Sequence, residues 1–211
     1  MLVGMPALQG SLLDDLNEVG LRSLSPIRRT ELAGGAWVDV RPGWLTGGGT
    51  LFGRLVAGVP WRAERRRMYD RSVDVPRLLS FYDEDAPLPD PVLARARDAL
   101  SQHYAPELGE PFRTAGLCYY RDGRDSVAWH GDRIGRGNTE DTMVAIVSVG
   151  APRALLLRPR GGGQTLRYAL GLGDLIVMGG SCQRTWEHAV PKTSKPVGPR
   201  ISIQFRPRGV L

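Results

Sequence analysis

The chain has 211 residues, of which 42% are hydrophobic and 24% are charged, values near those of ordinary globular proteins. This length fits one domain, with or without an appendage, and is enough to bury a core without disulfide staples. Only two cysteines are present, Cys118 and Cys182, which excludes a disulfide scaffold and a four-cysteine zinc site. The sequence has neither an apolar run of the roughly 18–20 residues that span a bilayer nor the pattern of a signal peptide. We therefore expect a soluble, cytoplasmic, monomeric protein with no membrane partner.

The charge is +6, from 28 basic and 22 acidic residues, and the basic residues are almost all arginine. The only lysines are Lys192 and Lys195. An arginine excess suits a nucleic-acid partner, because guanidinium groups bind phosphates in a bidentate fashion. A codon bias toward arginine would give the same composition. The charge alone therefore leaves a nucleic-acid partner open.

In chain order, apolar spacing predicts a strand near 37–40, a short helix after residue 50, a strand over 78–82 and a helix over 92–104. After Pro111 the character changes, and short β-rich runs alternate with turn residues. They predict eight strands, near 114–121, 126–130, 143–150, 153–158, 164–170, 174–178, 184–190 and 200–205. Eight short strands favour a closed or sandwiched β core. We divide the chain into an N-terminal α/β part, 1–112, and a β core, 113–211, in one compact unit.

Two of the three histidines lie in the β core. His130 and Asp132 stand two residues apart, so in an extended chain both side chains leave the same face. His188 follows later in the core. Two imidazoles and one carboxylate form the facial triad of non-haem Fe(II) oxygenases. The alternative is that these are ordinary polar side chains, because a His-x-Asp triplet is common by chance.

The last predicted strand alternates strictly. Ile201, Ile203 and Phe205 occupy one face, and Arg200, Ser202, Gln204 and Arg206 occupy the other. At an exposed edge the arginines would lie in water. Inside a barrel they would require an anion, because a buried charge must be paired. A dicarboxylate such as 2-oxoglutarate fits the second case, with Arg200 and Ser202 as its partners.

At these residues the sequence resembles the AlkB family of Fe(II)/2-oxoglutarate-dependent dioxygenases. The resemblance lies in 117–123, 125–132, 185–188 and 200–206, and more weakly in 61–83. It implies an α+β, mainly β fold: a double-stranded β-helix (jelly-roll) core with an N-terminal lid and a supporting helix. It also implies Fe(II) held by His130, Asp132 and His188, with 2-oxoglutarate and O2 as co-substrates.

The resemblance assigns further residues to 2-oxoglutarate. Tyr120 matches a tyrosine that contacts it, Arg200 the arginine at its distal carboxylate, and Arg206 a second arginine near its C1 carboxylate. The sequence departs from the family pattern in three places. Cys118 and Ser202 each stand where the family has asparagine, and Gln204 follows Ser202 where the family has threonine. Ile134 stands where nucleic-acid repair members have an acid that meets the exocyclic amine of the base.

The activity implied is oxidative demethylation of N-alkylated bases in DNA or RNA, with release of formaldehyde, succinate and CO2. Such an enzyme needs aromatic and basic groups at the nucleotide, and we expect them among Trp61, Arg62, Tyr69, Arg71 and Trp129. Core packing is the alternative for the two tryptophans. Two other function classes stay open: a 2-oxoglutarate oxygenase for a protein side chain or small molecule, and a non-catalytic jelly-roll binding module.

Overall fold

The computed structural model describes residues 18–68 and 71–210, and of residues 65–68 and 71–74 it describes the backbone only. The α-helices in this part of the chain are α1 (Gly48–Gly58), α2 (Pro91–Leu108) and α3 (Cys182–Thr185). None of them is both long enough and apolar enough to cross a membrane. The strands are β1 (Gly20–Leu21), β2 (Arg28–Glu31), β3 (Ala36–Arg41), β4 (Leu45–Thr46), β5 (Arg62–Met68), β6 (Arg71–Tyr82), β7 (Thr114–Tyr120), β8 (Val127–His130), β9 (Val144–Gly150), β10 (Arg153–Pro159), β11 (Leu166–Leu170), β12 (Asp174–Gly180), β13 (Trp186–Val190) and β14 (Arg200–Arg206).

Two large antiparallel sheets dominate the fold. The first has eight strands in the order β2-β3-β12-β9-β14-β7-β6-β5, and the second has four in the order β11-β10-β13-β8. The mainly β class predicted from the sequence is confirmed. The larger sheet takes strands from both sides of residue 112, because β6 pairs with β7 over five residues. The N-terminal part therefore continues the sheet of the core.

The larger sheet has apolar side chains on both faces. One face packs against α1 and α2, and it includes Ile201, Ile203 and Phe205 of β14. The other face meets the smaller sheet, and its cluster includes Cys118, Tyr120 and Trp186. Side chains alternate along a strand, so the polar face of β14 points toward the smaller sheet. The residues predicted to bind the metal and 2-oxoglutarate meet in the space between the sheets.

All eight strands predicted after residue 112 are present, and their starts agree with the prediction to within two residues. The strand predicted from residue 184 begins at Trp186, because Cys182–Thr185 form the short helix α3. Among the described residues, four strands were not predicted: the two-residue strands β1 and β4, and the longer β2 and β5. β2 is exposed along its whole length and shows no apolar alternation, and β5 falls in the most basic stretch of the chain. Edge strands like these lack the half-buried pattern by which strands are recognised.

A buried carboxylate ties α2 to the larger sheet. Asp39 on β3 is 1% exposed. Arg29 holds it with two hydrogen bonds of 2.8 Å, and the Tyr104 hydroxyl of α2 donates a third at 2.9 Å. Burial, and then Asp39 itself, raise the pKa of Tyr104, so the hydroxyl keeps its proton and remains a donor. The helix is thereby fixed to the sheet by a charge-assisted bond.

We expect Tyr104→Phe to lower the free energy of unfolding by about 1.5–3 kcal/mol, because a buried carboxylate loses one donor. Urea denaturation followed by circular dichroism measures the change. Tyr82→Phe is the matched control, since the buried Tyr82 hydroxyl has no hydrogen-bond partner among the described residues. Equal losses in the two variants would contradict the role given to the Tyr104–Asp39 bond.

Candidate metal centre and cavity

Three ligand-type side chains meet between the two sheets. His130, Asp132 and His188 offer ligand atoms that all lie within 4.8 Å of one another. The sheet register explains the meeting, because His130 of β8 is paired directly with His188 of β13. The two rings lie 4.2 Å apart by their centroids. The His-x-Asp triplet and the distant second histidine therefore converge as the sequence predicts.

Hydrogen bonds orient these side chains. The Nδ1 atom of His130 lies 2.8 Å from the Ala128 carbonyl oxygen. When Nδ1 donates a hydrogen bond to this carbonyl, Nε2 is the nitrogen that carries the lone pair. Nε2 faces Asp132, whose Oδ1 is 3.8 Å away. Asp132 Oδ2 accepts from Arg206 Nε at 2.9 Å. Partners of this kind fix the orientation of metal-ligating groups.

Glycine is required between the first two ligands. A Cβ at Gly131 would lie 2.5 Å from the backbone oxygen of Gln183. The side chain of Gln183 approaches from the same direction, and its Oε1 accepts from the Asp132 amide at 3.0 Å. Gln183 therefore fixes the backbone that carries Asp132.

The protonation states suit a metal ion. Burial lowers the pKa of His188 to about 3, and His130 adds to the effect, so the ring is neutral at neutral pH. Burial alone would raise the pKa of Asp132, but Arg206 and the two histidines outweigh it and hold that pKa well below its usual range. Neutral imidazoles and an ionised carboxylate are the forms that bind a divalent cation.

The polar face of β14 forms one wall of a cavity of about 750 Å³. Arg200 is 1% exposed. Its Nη2 donates to Ser148 Oγ at 2.6 Å, whereas the buried Nε and Nη1 have no partner among the described residues. Burial lowers the pKa of Arg200, but it starts so high that the group remains charged at neutral pH. Two unpaired guanidinium donors in a cavity fit an anionic ligand.

Tyr120 and Cys118 lie beside this arginine on the next strand. In the β7–β14 register Tyr120 is opposite Arg200, and Cys118 is opposite Ser202. Burial raises the pKa of Tyr120 to about 12, so its hydroxyl is protonated at neutral pH. The five residues predicted for 2-oxoglutarate, which are Cys118, Tyr120, Arg200, Ser202 and Arg206, all line the cavity.

Gln204 also lines the cavity. The sequence predicted that it lies on the polar face of β14 but gave it no role. Its Nε2 lies 3.4 Å from Cys118 Sγ and 3.3 Å from Ser202 Oγ, and its Oε1 accepts from Arg206 at 2.8 Å. Gly116 lies opposite Gln204, and a Cβ there would come within 3.1 Å of Arg206 Nη1. The glycine makes room for this bridge. The cross-strand register that creates it could not be read from the sequence.

The residues predicted for nucleotide binding are divided. Arg62 lines the cavity. Trp61 instead packs on Tyr119, with 5.2 Å between ring centroids, and its Nε1 donates to the Leu55 carbonyl. Trp129 lies beneath the Arg158 guanidinium, 4.0 Å from its carbon to the ring centroid, and is not among the cavity-lining residues. Tyr69 and the side chain of Arg71 lie outside the described residues.

Four other side chains line the outer part of the cavity. Arg77 donates to the Ser126 carbonyl at 3.2 Å, and its buried Nε has no partner among the described residues. The others are Glu64 on β5, Phe81 on β6 and Ile134 in the loop after β8. Arg77, Glu64 and Phe81 carried no assigned role from the sequence, because a role at the cavity depends on the hairpin of β5 and β6.

Comparisons with known proteins agree with this geometry. Residues 64–206 match the family model of the 2OG-Fe(II) oxygenase superfamily. A Bos taurus protein named "Alpha-ketoglutarate-dependent dioxygenase alkB homolog 3" is 29% identical over 188 residues, which cover 76% of this chain and 63% of that protein. The Homo sapiens "DNA oxidative demethylase ALKBH2" is 32% identical over 124 residues, 55% of this chain and 46% of that protein.

A solved structure described as "The structure of OsALKBH1" matches the fold. Its TM-score is 0.58 at 13% sequence identity, and the match covers 84% of this chain and 100% of that chain. At this identity the likeness concerns the fold alone. The chain spans less than two thirds of the length of the curated relatives it matches.

Proposed function

The chain belongs to the 2OG-Fe(II) oxygenase superfamily and is AlkB-like in sequence, and we propose that it is an Fe(II)/2-oxoglutarate-dependent dioxygenase that removes alkyl groups from nucleic-acid bases. The observation that carries the proposal is the convergence of His130, Asp132 and His188 in the cavity that Arg200 also lines, a buried arginine whose Nε and Nη1 have no hydrogen-bond partner among the described residues. The names of the relatives support the base-directed part, because one of them is called a DNA oxidative demethylase. We also infer that the two sheets form the jelly roll of this superfamily.

The donor set fits Fe(II). His130, Asp132 and His188 would hold the ion, and a set of two imidazoles and one carboxylate would leave positions for a co-substrate and O2. With 2-oxoglutarate and O2, bound iron supplies the oxidation that places one oxygen atom in a substrate C–H bond and the other in succinate, as CO2 leaves. Hydroxylation of a methyl group on a ring nitrogen gives a hydroxymethyl group. The hydroxyl group then loses its proton, the C–N bond breaks and formaldehyde leaves. The nitrogen keeps the electron pair of that bond, and takes up a proton where it carried a hydrogen before alkylation.

The chain's own residues bind and orient the reactants. Arg200 donates to the distal carboxylate of 2-oxoglutarate, with Ser202 and the Tyr120 hydroxyl beside it. Arg206 holds Asp132 ionised and in place through their 2.9 Å bond. The surrounding sheets exclude water from the reacting groups, which are positioned before the chemical step. The base must enter from single-stranded nucleic acid or by flipping out of a duplex.

Formaldehyde release tests the proposal directly. Purified protein with Fe(II), ascorbate and 2-oxoglutarate should release formaldehyde from single-stranded oligonucleotides that carry N-methylated bases, and should restore the unmodified base by mass spectrometry. Succinate should form in equal amount. Turnover of 2-oxoglutarate with a protein or metabolite, and with none of the methylated oligonucleotides, would contradict the base-directed function.

Arg62 offers a test of the nucleic-acid partner, because it is exposed and lies at the cavity. We expect Arg62→Ala to weaken binding of single-stranded DNA and to reduce the slope of log affinity against log salt by about one. Fluorescence anisotropy at several salt concentrations measures both. Arg167→Ala is the control, since Arg167 is exposed on β11 and is not among the cavity-lining residues. Equal effects of the two substitutions would contradict a phosphate contact at Arg62.

A further inference from the structure

Exposed apolar side chains lie at the cavity beside its charged groups. Among the described residues three large hydrophobic side chains are exposed: Phe81 at 48%, Ile134 at 67% and Leu172 at 62%. Two of the three, Phe81 and Ile134, line the cavity. They come from different parts of the fold, because Phe81 lies on β6 of the larger sheet and Ile134 follows β8 of the smaller one. Exposed apolar side chains at the rim of a cavity indicate contact with a ligand.

The charged groups around the cavity are mostly cationic. Its described lining contains four arginines and two carboxylates, namely Arg62, Arg77, Arg200, Arg206, Glu64 and Asp132. Asp132 is paired with Arg206. Glu64 interacts electrostatically with Arg77. Fe(II) and the 2-oxoglutarate dianion have opposite charges of equal size, so their binding leaves the excess of positive charge in place.

Alkylated bases fall into two charge classes. A methyl group on N1 of adenine or N3 of cytosine sits on a nitrogen that carried no hydrogen, so the base becomes a cation. On N3 of thymine or N1 of guanine the methyl group replaces a hydrogen, and the base stays neutral. A cationic base requires a nearby anion to offset the loss of hydration and the repulsion from like charges. A neutral base requires mainly apolar contact.

Resting on the proposed function, we infer that this enzyme prefers neutral N-alkylated bases, of the 3-methylthymine and 1-methylguanine type, over cationic ones. Ile134 and Phe81 supply apolar contact to the ring at the cavity mouth. Ile134 is the specificity residue. It lines the cavity two positions after Asp132, and its uncharged side chain cannot offset the charge of a cationic ring. The surplus of arginine in the lining disfavours a cationic ring.

The test compares four single-stranded oligonucleotides of one sequence, which carry 3-methylthymine, 1-methylguanine, 1-methyladenine or 3-methylcytosine. Formaldehyde release is measured as kcat/KM, and binding is measured by anisotropy without iron against the unmethylated oligonucleotide. The wild type should favour the neutral bases by about tenfold in kcat/KM, and Ile134→Asp should move the ratio by about tenfold toward the cationic bases. Leu172→Asp makes the same chemical change away from the cavity and should leave the ratio unchanged.

The outcomes separate the two proposals. Preference of the wild type for cationic bases would overturn the inference and leave the dealkylation function standing. If Glu64→Gln then removed that preference, Glu64 would be the anion that faces the base. An unchanged ratio in Ile134→Asp would refute the role of Ile134. Formaldehyde from none of the four oligonucleotides would contradict the dealkylation function itself.

Discussion

Replacing His188 with alanine is expected to abolish turnover and metal binding together. His188 is 6% exposed, and its neutral ring lies 4.2 Å by centroid from His130. Loss of an outer hydrogen-bond partner of a metal ligand typically costs about 10–100-fold in affinity or activity. Loss of a ligand itself should exceed that range. Isothermal titration with Mn(II), which binds similar sites without oxidation by air, measures affinity separately from 2-oxoglutarate turnover.

The third histidine provides the control for this experiment. His103 is exposed on α2 and packs edge-on against Tyr104 with 4.7 Å between centroids, away from the cavity. His103→Ala should bind Mn(II) and turn over 2-oxoglutarate like the wild type. His188→Gln keeps more side-chain volume and serves if the alanine variant fails to fold. Normal Mn(II) affinity in a folded His188 variant would mean that the metal site has been placed wrongly.

The second large effect is expected at Arg200. Arg200→Lys keeps the positive charge but loses the forked pair of donors. We expect the KM for 2-oxoglutarate to rise about 10- to 100-fold, because one or more charge-assisted bonds to a carboxylate are lost. The value of kcat at saturating 2-oxoglutarate should fall much less. Ser148→Ala removes only the group that orients Arg200 through the 2.6 Å bond and should raise KM by a smaller factor.

Thermal stability gives Arg200 a second readout that does not require turnover. With Mn(II) present, 2-oxoglutarate at 100 times its Kd should stabilise the wild type by about 2.7 kcal/mol. Arg200→Met should lose this stabilisation. Without the ligand the same variant should melt no earlier than the wild type, because a buried charge with unpaired donors is replaced by an apolar side chain. A full stabilising effect of 2-oxoglutarate on Arg200→Met would exclude Arg200 as its partner.

Local patterns predicted the centre of the molecule better than its edges. The alternation in β14 correctly assigned Ile201 and Phe205 to the apolar face and Arg200 and Ser202 to the cavity, because that pattern has the period of the strand itself. The His-x-Asp triplet worked for the same reason. In both cases the spacing along the chain fixes which side chains lie together.

The outer parts of the cavity depend on contacts between distant segments, which local patterns do not specify. The nucleotide contacts expected of Trp61 and Trp129 stay predictions, and the contacts that the structure gives them, to Tyr119 and to Arg158, could not be inferred from sequence distance. The Gln204 bridge to Cys118 exists only because β7 and β14 pair in one particular register. A shift of that register by one residue would turn one of the two side chains away.

The position of β5 at the end of the larger sheet has a consequence for how such a protein can diversify. Among the residues that the structure describes, β5 pairs with β6 alone and has no strand on its other side. Substitutions or insertions there disturb one row of hydrogen bonds, while the ligand histidines lie in β8 and β13 of the other sheet. If this margin meets the substrate, as we propose, that surface can change with little cost to the metal centre. New substrate preferences can arise at this margin without rebuilding the chemistry.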